Sequence, residues 1–410
     1  PVLASSTRQI FNVSVLVLLT HLGYLILARP PLHGGLLPLT VTAIILAIAY
    51  RPQFALLMTF SLSLAITSTR GTGIDHLLVQ VTGQAAAVLM MRNIRTRTQL
   101  VEIGAIAGLG FAVMTLATAL LTNQGWPMIA SDALRRFLWG LLAGFLVSGL
   151  LPLIERWFGV VTDVSLMELA DGSHPLLQEM VRRAPGTYNH SLTVANLAEH
   201  AAEAIGANPL LTRVGAYFHD VGKMLKPGYF IENQNGQNLH DTLEPGLSTL
   251  IIIGHVKDGV ALAQQYNLPE PVVDFIRQHH GTTLVEYFYR AALRQAEENG
   301  HATSRQEGTP CPLESSFRYP GPKPRNRENG IVMLADAVES ASRALSDPTP
   351  GSLRKLVRDL LMKRLLDGQF EESGLTLSEL HQVEEALCKG LIALYHSRIK
   401  YPEPAQRRSA

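Results

Sequence analysis

The chain has 410 residues, enough for two or three domains, of which 47% are hydrophobic and only 17% charged, against about 25% charged in ordinary soluble proteins. Residues 1–156 carry ten Arg, no Lys and four acids, a balance of +6, while the remainder balances at −5. The absence of a basic stripe argues against a nucleic acid polymer as partner, and two distant cysteines, Cys311 and Cys388, argue against a thiolate zinc site or a disulfide scaffold and fit a reducing cytoplasm.

The chain begins at Pro1 with no charged leader ahead of the first apolar run, which predicts an incomplete N-terminus. Six apolar stretches follow, at about 10–28, 36–50, 53–69, 75–91, 100–121 and 137–154. The first, fifth and sixth are long enough to cross about 30 Å of hydrocarbon; the other three are shorter. Polar breaks separate them, among them Arg51-Pro52, Arg70-Gly71-Thr72-Gly73 and Arg92-Asn93-Ile94-Arg95-Thr96-Arg97. These runs leave no polar faces, which argues against buried helices of a soluble protein. Gly104, Gly108, Gly110, Gly140 and Gly144 suit close helix approach. The arginines at 92, 95 and 97 predict a cytoplasmic loop, and counting on places Arg156 and all that follows in the cytoplasm. No chain of intramembrane carboxylates or histidines marks an ion path.

From Leu166 the periodicity turns helical, with stretches at about 209–225, 244–266, 269–280, 283–298, 330–346, 350–367 and 376–398, and a further apolar face from Leu192 to Ile205. The expected fold is all-α: a polytopic membrane region over 1–156, an all-helical domain over 157–400 and a tail over 401–410. Two stretches read as connections, 226–242 and 299–328, the second ending in Arg318-Tyr319-Pro320-Gly321-Pro322-Lys323-Pro324 and suggesting a lid.

Eleven of the fourteen histidines lie after residue 170. His190, the pair His219-Asp220, His255, the pair His279-His280 and Asp336 each interrupt an apolar helical run. A buried imidazole beside a buried carboxylate needs partners, and a divalent cation supplies them. Residues so far apart in sequence converge only in a helical core. Imidazole suits Fe, Zn, Mn or Ni, and carboxylate adds preference for harder cations. Seven ligands exceed the needs of one catalytic ion, whereas two ions sharing Asp220 accommodate them. His174, His200, His240, His301, His381 and His396 read as ordinary core or surface residues.

The order H…HD…H…HH…D resembles the HD superfamily of metal-dependent phosphohydrolases. Ala184 to Ser191 (APGTYNHS), His219 to Lys223 (HDVGK), Tyr229 to Gln234 (YFIENQ), His279 to Thr282 (HHGT) and Tyr319 to Pro324 (YPGPKP) resemble more narrowly the bacterial seven-transmembrane HD family of the PgpH type. That resemblance implies a multi-pass inner-membrane enzyme, its HD domain in the cytoplasm, that hydrolyses cyclic di-AMP to pApA with two divalent ions, iron or manganese. It implies His190, His219, Asp220 and Asp336 around one ion and Asp220, His255, His279 and His280 around the other. Asp220 and Lys223 are the catalytic candidates, with Lys223, Tyr188, Arg318 and Lys323 as substrate contacts. Cyclic di-AMP and the bilayer are the implied partners, and a homodimer is left open. Family members carry an extracellular domain and a further helix ahead of the region that the resemblance covers, in keeping with the expected incomplete N-terminus. The rival readings are a cyclic di-GMP hydrolase, disfavoured because Gly281-Thr282 rather than Gly-Tyr-Pro follows the His pair, a nucleotide or (p)ppGpp phosphohydrolase, and a nucleotide-sensing membrane receptor.

Overall fold

A computed structural model describes residues 7–91, 94–120, 125–234, 236–302, 312–346 and 348–396. The expected tail, Arg92, the centre of the 299–328 connection and the side chains of His301 and His396 lie outside the described residues. The chain divides into two compact units between Glu168 and Leu169. The described residues form helices and no strands, apart from one isolated bridge between Leu284 and Arg318.

The first unit contains six long helices: α1 (Thr7–Leu27), α2 (Leu36–Ala49), α3 (Pro52–Arg70), α4 (Ile74–Met90), α5 (Arg97–Ala119) and α6 (Trp126–Phe158). Of these, α1, α5 and α6 have mean hydropathies of 2.1, 2.0 and 2.1 and are long enough to span a bilayer, whereas α2 and α4 are shorter apolar helices. Large apolar residues of α1, α3, α4, α5 and α6 are exposed, among them Phe11, Leu57, Leu89, Leu109 and Phe145. This is the surface of a multi-pass membrane protein, where lipid takes the place of water.

Helices α5 and α6 touch backbone to backbone. A β-carbon on Gly104 would lie 2.7 Å from the Cα of Gly144, and one on Gly144 only 2.6 Å from the carbonyl of Leu100. Only glycine permits this approach, which replaces hydrophobic driving force with dispersion contact. Thr96 caps α5, and the Gln99 side chain returns to the Thr96 backbone. Pro152 lies inside α6 and has no N–H to give the Ser148 carbonyl. Arg97 Nη1 donates to that carbonyl at 3.2 Å, and Ser148 Oγ donates back to the Arg97 carbonyl at 3.3 Å. The Arg97 guanidinium also pairs with Glu168 at 2.8 Å. A short helix, α7 (Asp163–Leu169), follows, its start held by the buried Glu155 carboxylate through Thr162 and Ser165.

The second unit comprises α8 (Pro175–Arg183), α9 (Pro185–Ala204), α10 (Pro209–Phe218), α11 (Pro245–Gln265), α12 (Glu270–Gln278), α13 (Glu286–Ala302), α14 (Arg327–Ser342), α15 (Pro350–Leu366) and α16 (Leu377–His396). The single helix expected over 209–225 instead ends at Phe218 and resumes as a 3-10 turn over Val221–Leu225. The stretch expected as a loop over 226–242 winds into three more 3-10 turns, Pro227–Tyr229, Ile231–Asn233 and Leu239–Thr242. Helix α11 is long and apolar enough to span a membrane, with a mean hydropathy of 1.3. It nevertheless belongs to this unit, burying His255 and Ala263 within it.

Candidate metal centre

Each polar side chain of the site is delivered by the end or the face of a helix. Helix α9 brings His190, and its first turn has no cap of its own. Asn233 supplies one from the 3-10 segment, its Oδ1 accepting from Gly186 N at 2.9 Å and Thr187 N at 3.2 Å. His219 and Asp220 sit where α10 breaks. The break has a steric cause: the following 3-10 turn seats Gly222 so tightly against the His255 carbonyl that no β-carbon fits. His279 and His280 leave the C-terminus of α12, and Gly281 continues at φ +52, a left-handed conformation that favours glycine. Asp336 comes from the middle of α14.

Asp220 is fully buried at the centre, and its two oxygens face two different groups. Oδ2 lies 3.5 Å from His190 Nε2 and 3.2 Å from His219 Nε2. Oδ1 lies 3.3 Å from His255 Nε2 and 3.5 Å from His279 Nε2. Asp336 Oδ1 lies 3.0 Å from His190 Nε2 and 3.9 Å from His219 Nε2, and its Oδ2 lies 3.8 Å from His280 Nδ1. Ligand atoms therefore converge as two sets that share Asp220: His190, His219 and Asp336 on one side, His255, His279 and His280 on the other.

The rings are turned for cations. His219 Nδ1 donates to Ala216 O at 2.7 Å, His255 Nδ1 to Ile252 O at 2.5 Å and His279 Nδ1 to Phe275 O at 3.0 Å. A neutral ring that donates from Nδ1 presents a lone pair at Nε2. The lone pairs of His255 and His279 then face each other at 3.3 Å and also face a carboxylate, which is repulsive unless positive charge lies between. Bonds of about 2.0–2.2 Å place neighbouring ligand atoms about 3 Å apart. The donor set and its spacing thus fit two divalent ions.

Without an ion, protons compensate. Burial opposes the charged ring at His219, but Asp220 and Asp336 outweigh it and raise the pKa from 6.5 to about 9. Burial is likewise outweighed at His190 by Asp220, Asp336 and Glu339, and its pKa rises. At Asp220 burial favours the neutral acid, yet His219, Lys223 and His190 hold it well below the usual carboxylate range. Burial dominates at His279 and His280, whose pKa values fall. An entering cation must displace the His219 proton below about pH 9. Apparent manganese affinity is therefore expected to rise about tenfold per pH unit between pH 7 and 8 for each proton displaced. Calorimetry at the two pH values, in buffers of different ionisation enthalpy, reads both the affinity and the proton release. A pH-independent affinity would contradict this reading.

Surrounding residues hold the ligands, and sequence reasoning missed several of them. Glu339, 3% exposed, sits 2.5 Å from His190 Nδ1, and its other oxygen accepts from Arg343 Nε at 2.8 Å. It lies three residues after Asp336, on the same face of α14. Such a carboxylate fixes the orientation of a ligating ring. Glu339→Gln is expected to weaken metal retention by about 10- to 100-fold; retention measured by chelator competition at the wild-type level would exclude the role. Lys223 Nζ lies 2.6 Å from Asp220 Oδ2 and 3.2 Å from Glu232 Oε1. Burial works against its charge, but the two carboxylates win and keep it protonated. Glu232 also accepts from Thr187 Oγ1 at 3.0 Å. Tyr319 stacks on His280 with ring centroids 4.3 Å apart, and Phe230 packs edge-on against His255. Burial lowers the pKa of Arg364, opposed by Asp336, Asp367 and Tyr319, and its buried Nε has no hydrogen-bond partner.

Of the expected substrate contacts, only Lys223 touches the ligand cluster through a recorded ion pair. Arg318 pairs with Asp367 at 2.9 Å and with Glu314, and donates to Thr282 O at 2.9 Å. Lys323 pairs with Glu371 at 2.8 Å. The Tyr188 hydroxyl lies beside Gly172. The Tyr319–Pro324 stretch meets the site through its tyrosine rather than through its cations. His174 caps α8, and the His240 ring bonds Tyr229 O at 3.0 Å.

Residues 187–341 match the HD domain, and residues 3–162 match the 7TM receptor with intracellular HD hydrolase. Over 389 residues the chain is 38% identical to the cyclic-di-AMP phosphodiesterase PgpH of Bacillus subtilis, a match covering 91% of this chain and 52% of that protein. It is 39% identical over 324 residues to the protein of the same name from Listeria monocytogenes, covering 78% of this chain and 43% of that one. The chain spans about half the length of the curated relatives it matches. The crystal structure of the L. monocytogenes PgpH HD domain matches 55% of this chain and 100% of its own, with a TM-score of 0.50 and 41% identity.

Proposed function

This chain belongs to the family of membrane proteins with an intracellular HD hydrolase, and on that premise we propose that it is a phosphodiesterase that opens cyclic di-AMP to the linear dinucleotide pApA. The observation that carries the hydrolase reading is the division of Asp220, whose two oxygens each face a separate pair of imidazoles. The substrate reading is supported by the names of the two relatives.

In this proposal His190, His219, Asp220 and Asp336 hold one divalent ion and Asp220, His255, His279 and His280 the other, both iron or manganese. Bound there, two such ions supply Lewis acidity toward the phosphoryl oxygens and make a nucleophile available at neutral pH. The protein supplies the rest. Lys223, kept charged by Asp220 and Glu232, adds fixed positive charge where phosphoryl charge develops. Arg364, with an unspent buried N–H, offers a second donor near Asp336 and Tyr319. Tyr319 and Phe230 wall the His280 and His255 side with aromatic surface, which excludes bulk water and strengthens every charge interaction inside. Arg318, Lys323 and Tyr188 act at one remove, positioning the segments that carry Tyr319 and His190. The HD unit is proposed to face the cytoplasm of a cell whose inner membrane holds α1–α6.

The test is to incubate the purified chain with cyclic di-AMP, cyclic di-GMP and ppGpp under iron or manganese and to identify the products. Release of pApA is expected. Retained metal with no turnover of cyclic di-AMP would overturn the substrate assignment and leave the metal centre standing.

A further inference from the structure

The membrane unit contains a polar pocket that no catalytic argument uses. It opens at the end of the bundle where α1 finishes and α2 and α4 begin, and it encloses about 280 Å³ between Tyr24, His33, His76, Gln80, Asp132, Arg135 and Arg136. Three of its polar groups are unspent. Arg136, half-buried on α6, donates from Nη1 to Thr115 Oγ1 at 2.8 Å and has no carboxylate within 4.0 Å among the described residues. Arg135 pairs with Asp132 through Nη2, but its buried Nε has no partner. Gln80 is only 3% exposed, lines the pocket and leaves Oε1 without a hydrogen bond.

Each of these costs free energy as it stands. A buried acceptor without a donor is destabilising, and so is a half-buried guanidinium in a lipid-facing bundle when the neighbouring carboxylate, Asp132, is already paired with Arg135. Proteins keep such groups inside a membrane unit where they serve a ligand. The unspent donors lie on one wall and the unspent acceptor on another, so the missing partner is an anion that also donates a hydrogen bond. We propose that this pocket binds a small oxyanion, a carboxylate or phosphate bearing a hydroxyl, amine or acidic proton, gripped by Arg136 and Arg135 and read by Gln80. Planar guanidinium matches such a group with two parallel hydrogen bonds. The volume lies just below the range of ordinary ligand pockets and suits a headgroup or a short acid. The same chemistry is carried by a water-soluble acid and by a glycerol phosphate lipid headgroup.

The experiment uses the full chain in lipid nanodiscs and reads its thermal midpoint. In phosphatidylcholine discs, inorganic phosphate or L-malate is titrated. A saturable rise identifies a soluble occupant. A higher midpoint in phosphatidylglycerol discs, with no further rise on adding either acid, identifies the headgroup. In both cases Arg136→Gln is expected to weaken the response at least tenfold, and Gln80→Leu about fivefold, whereas Arg156→Gln, exposed elsewhere on α6, leaves it unchanged. The response should persist in Asp220→Ala, which separates it from anion binding at the HD centre. Absence of any rise with both acids and both lipids overturns the proposal. So does a response equal to wild type in Arg136→Gln and Gln80→Leu.

Discussion

Asp220→Ala is expected to leave the chain with neither ion and with turnover lowered by on the order of 10³ or more. No other residue stands in both ligand sets, so its removal opens both at once. The substitution also withdraws the counter-charge from Lys223 and from four imidazoles that lie within 3.5 Å of its oxygens. Those rings then repel one another as soon as they are charged. Metal content by plasma emission and turnover of cyclic di-AMP are the two readouts, with helicity by circular dichroism as the check on folding. Two ions per chain, or wild-type turnover, would remove Asp220 from the centre. Asp220→Asn separates shape from charge: it keeps the volume and is expected to fail almost as completely, because the amide offers one acceptor where the carboxylate offers two.

Lys223→Met is expected to lower turnover by about 10²–10³ while both ions stay bound. The side chain is 12% exposed and stands between Asp220 and Glu232, so methionine keeps its apolar stem and removes only the ammonium. The contrast with Asp220→Ala is the point of the experiment. A loss of metal together with activity would make Lys223 a support for Asp220 rather than a contact to phosphate. A loss confined to turnover, with metal content near two, marks a charge that acts on the substrate. Glu232 keeps its hydrogen bond from Thr187 but loses its ion pair in this variant, and Lys223→Met with Glu232→Gln relieves that cost without restoring activity.

The ligand cluster was legible because polar residues stood out against apolar helices. His190, His219, Asp220, His255, His279, His280 and Asp336 each break a run that burial would otherwise fill with aliphatic side chains, and the structure brings all seven together. The three long spans were legible for the same reason in reverse, through continuous apolar length. What escaped was support arriving from remote sequence. Glu339 reads as an ordinary helical acid until His190 is seen 149 residues away against it. Asn233 reads as loop polarity until its amide oxygen is found capping α9. Tyr319 lay inside a stretch whose charges drew attention, although its ring is what meets His280. The break in α10 was missed because apolar spacing runs on past Phe218 through Val221 and Met224 to Leu225. The weak helix formers His219, Asp220, Val221 and Gly222 permit the break, and the seat of Gly222 against the His255 carbonyl requires it.

Pro152 gives α6 a property that an unbroken helix would lack. In a regular helix the Ser148 carbonyl would be consumed by the residue four positions on. The imino acid leaves it free, and Arg97 of α5 answers it while the Ser148 hydroxyl answers the Arg97 carbonyl. Local and tertiary stability are thereby set against each other at one position. Alanine in place of proline would restore the missing rung and make α6 sturdier in isolation, yet it would make Arg97 of α5 share an acceptor that it now holds alone. The residue that weakens one helix adds a polar clasp to the glycine seam that joins the two.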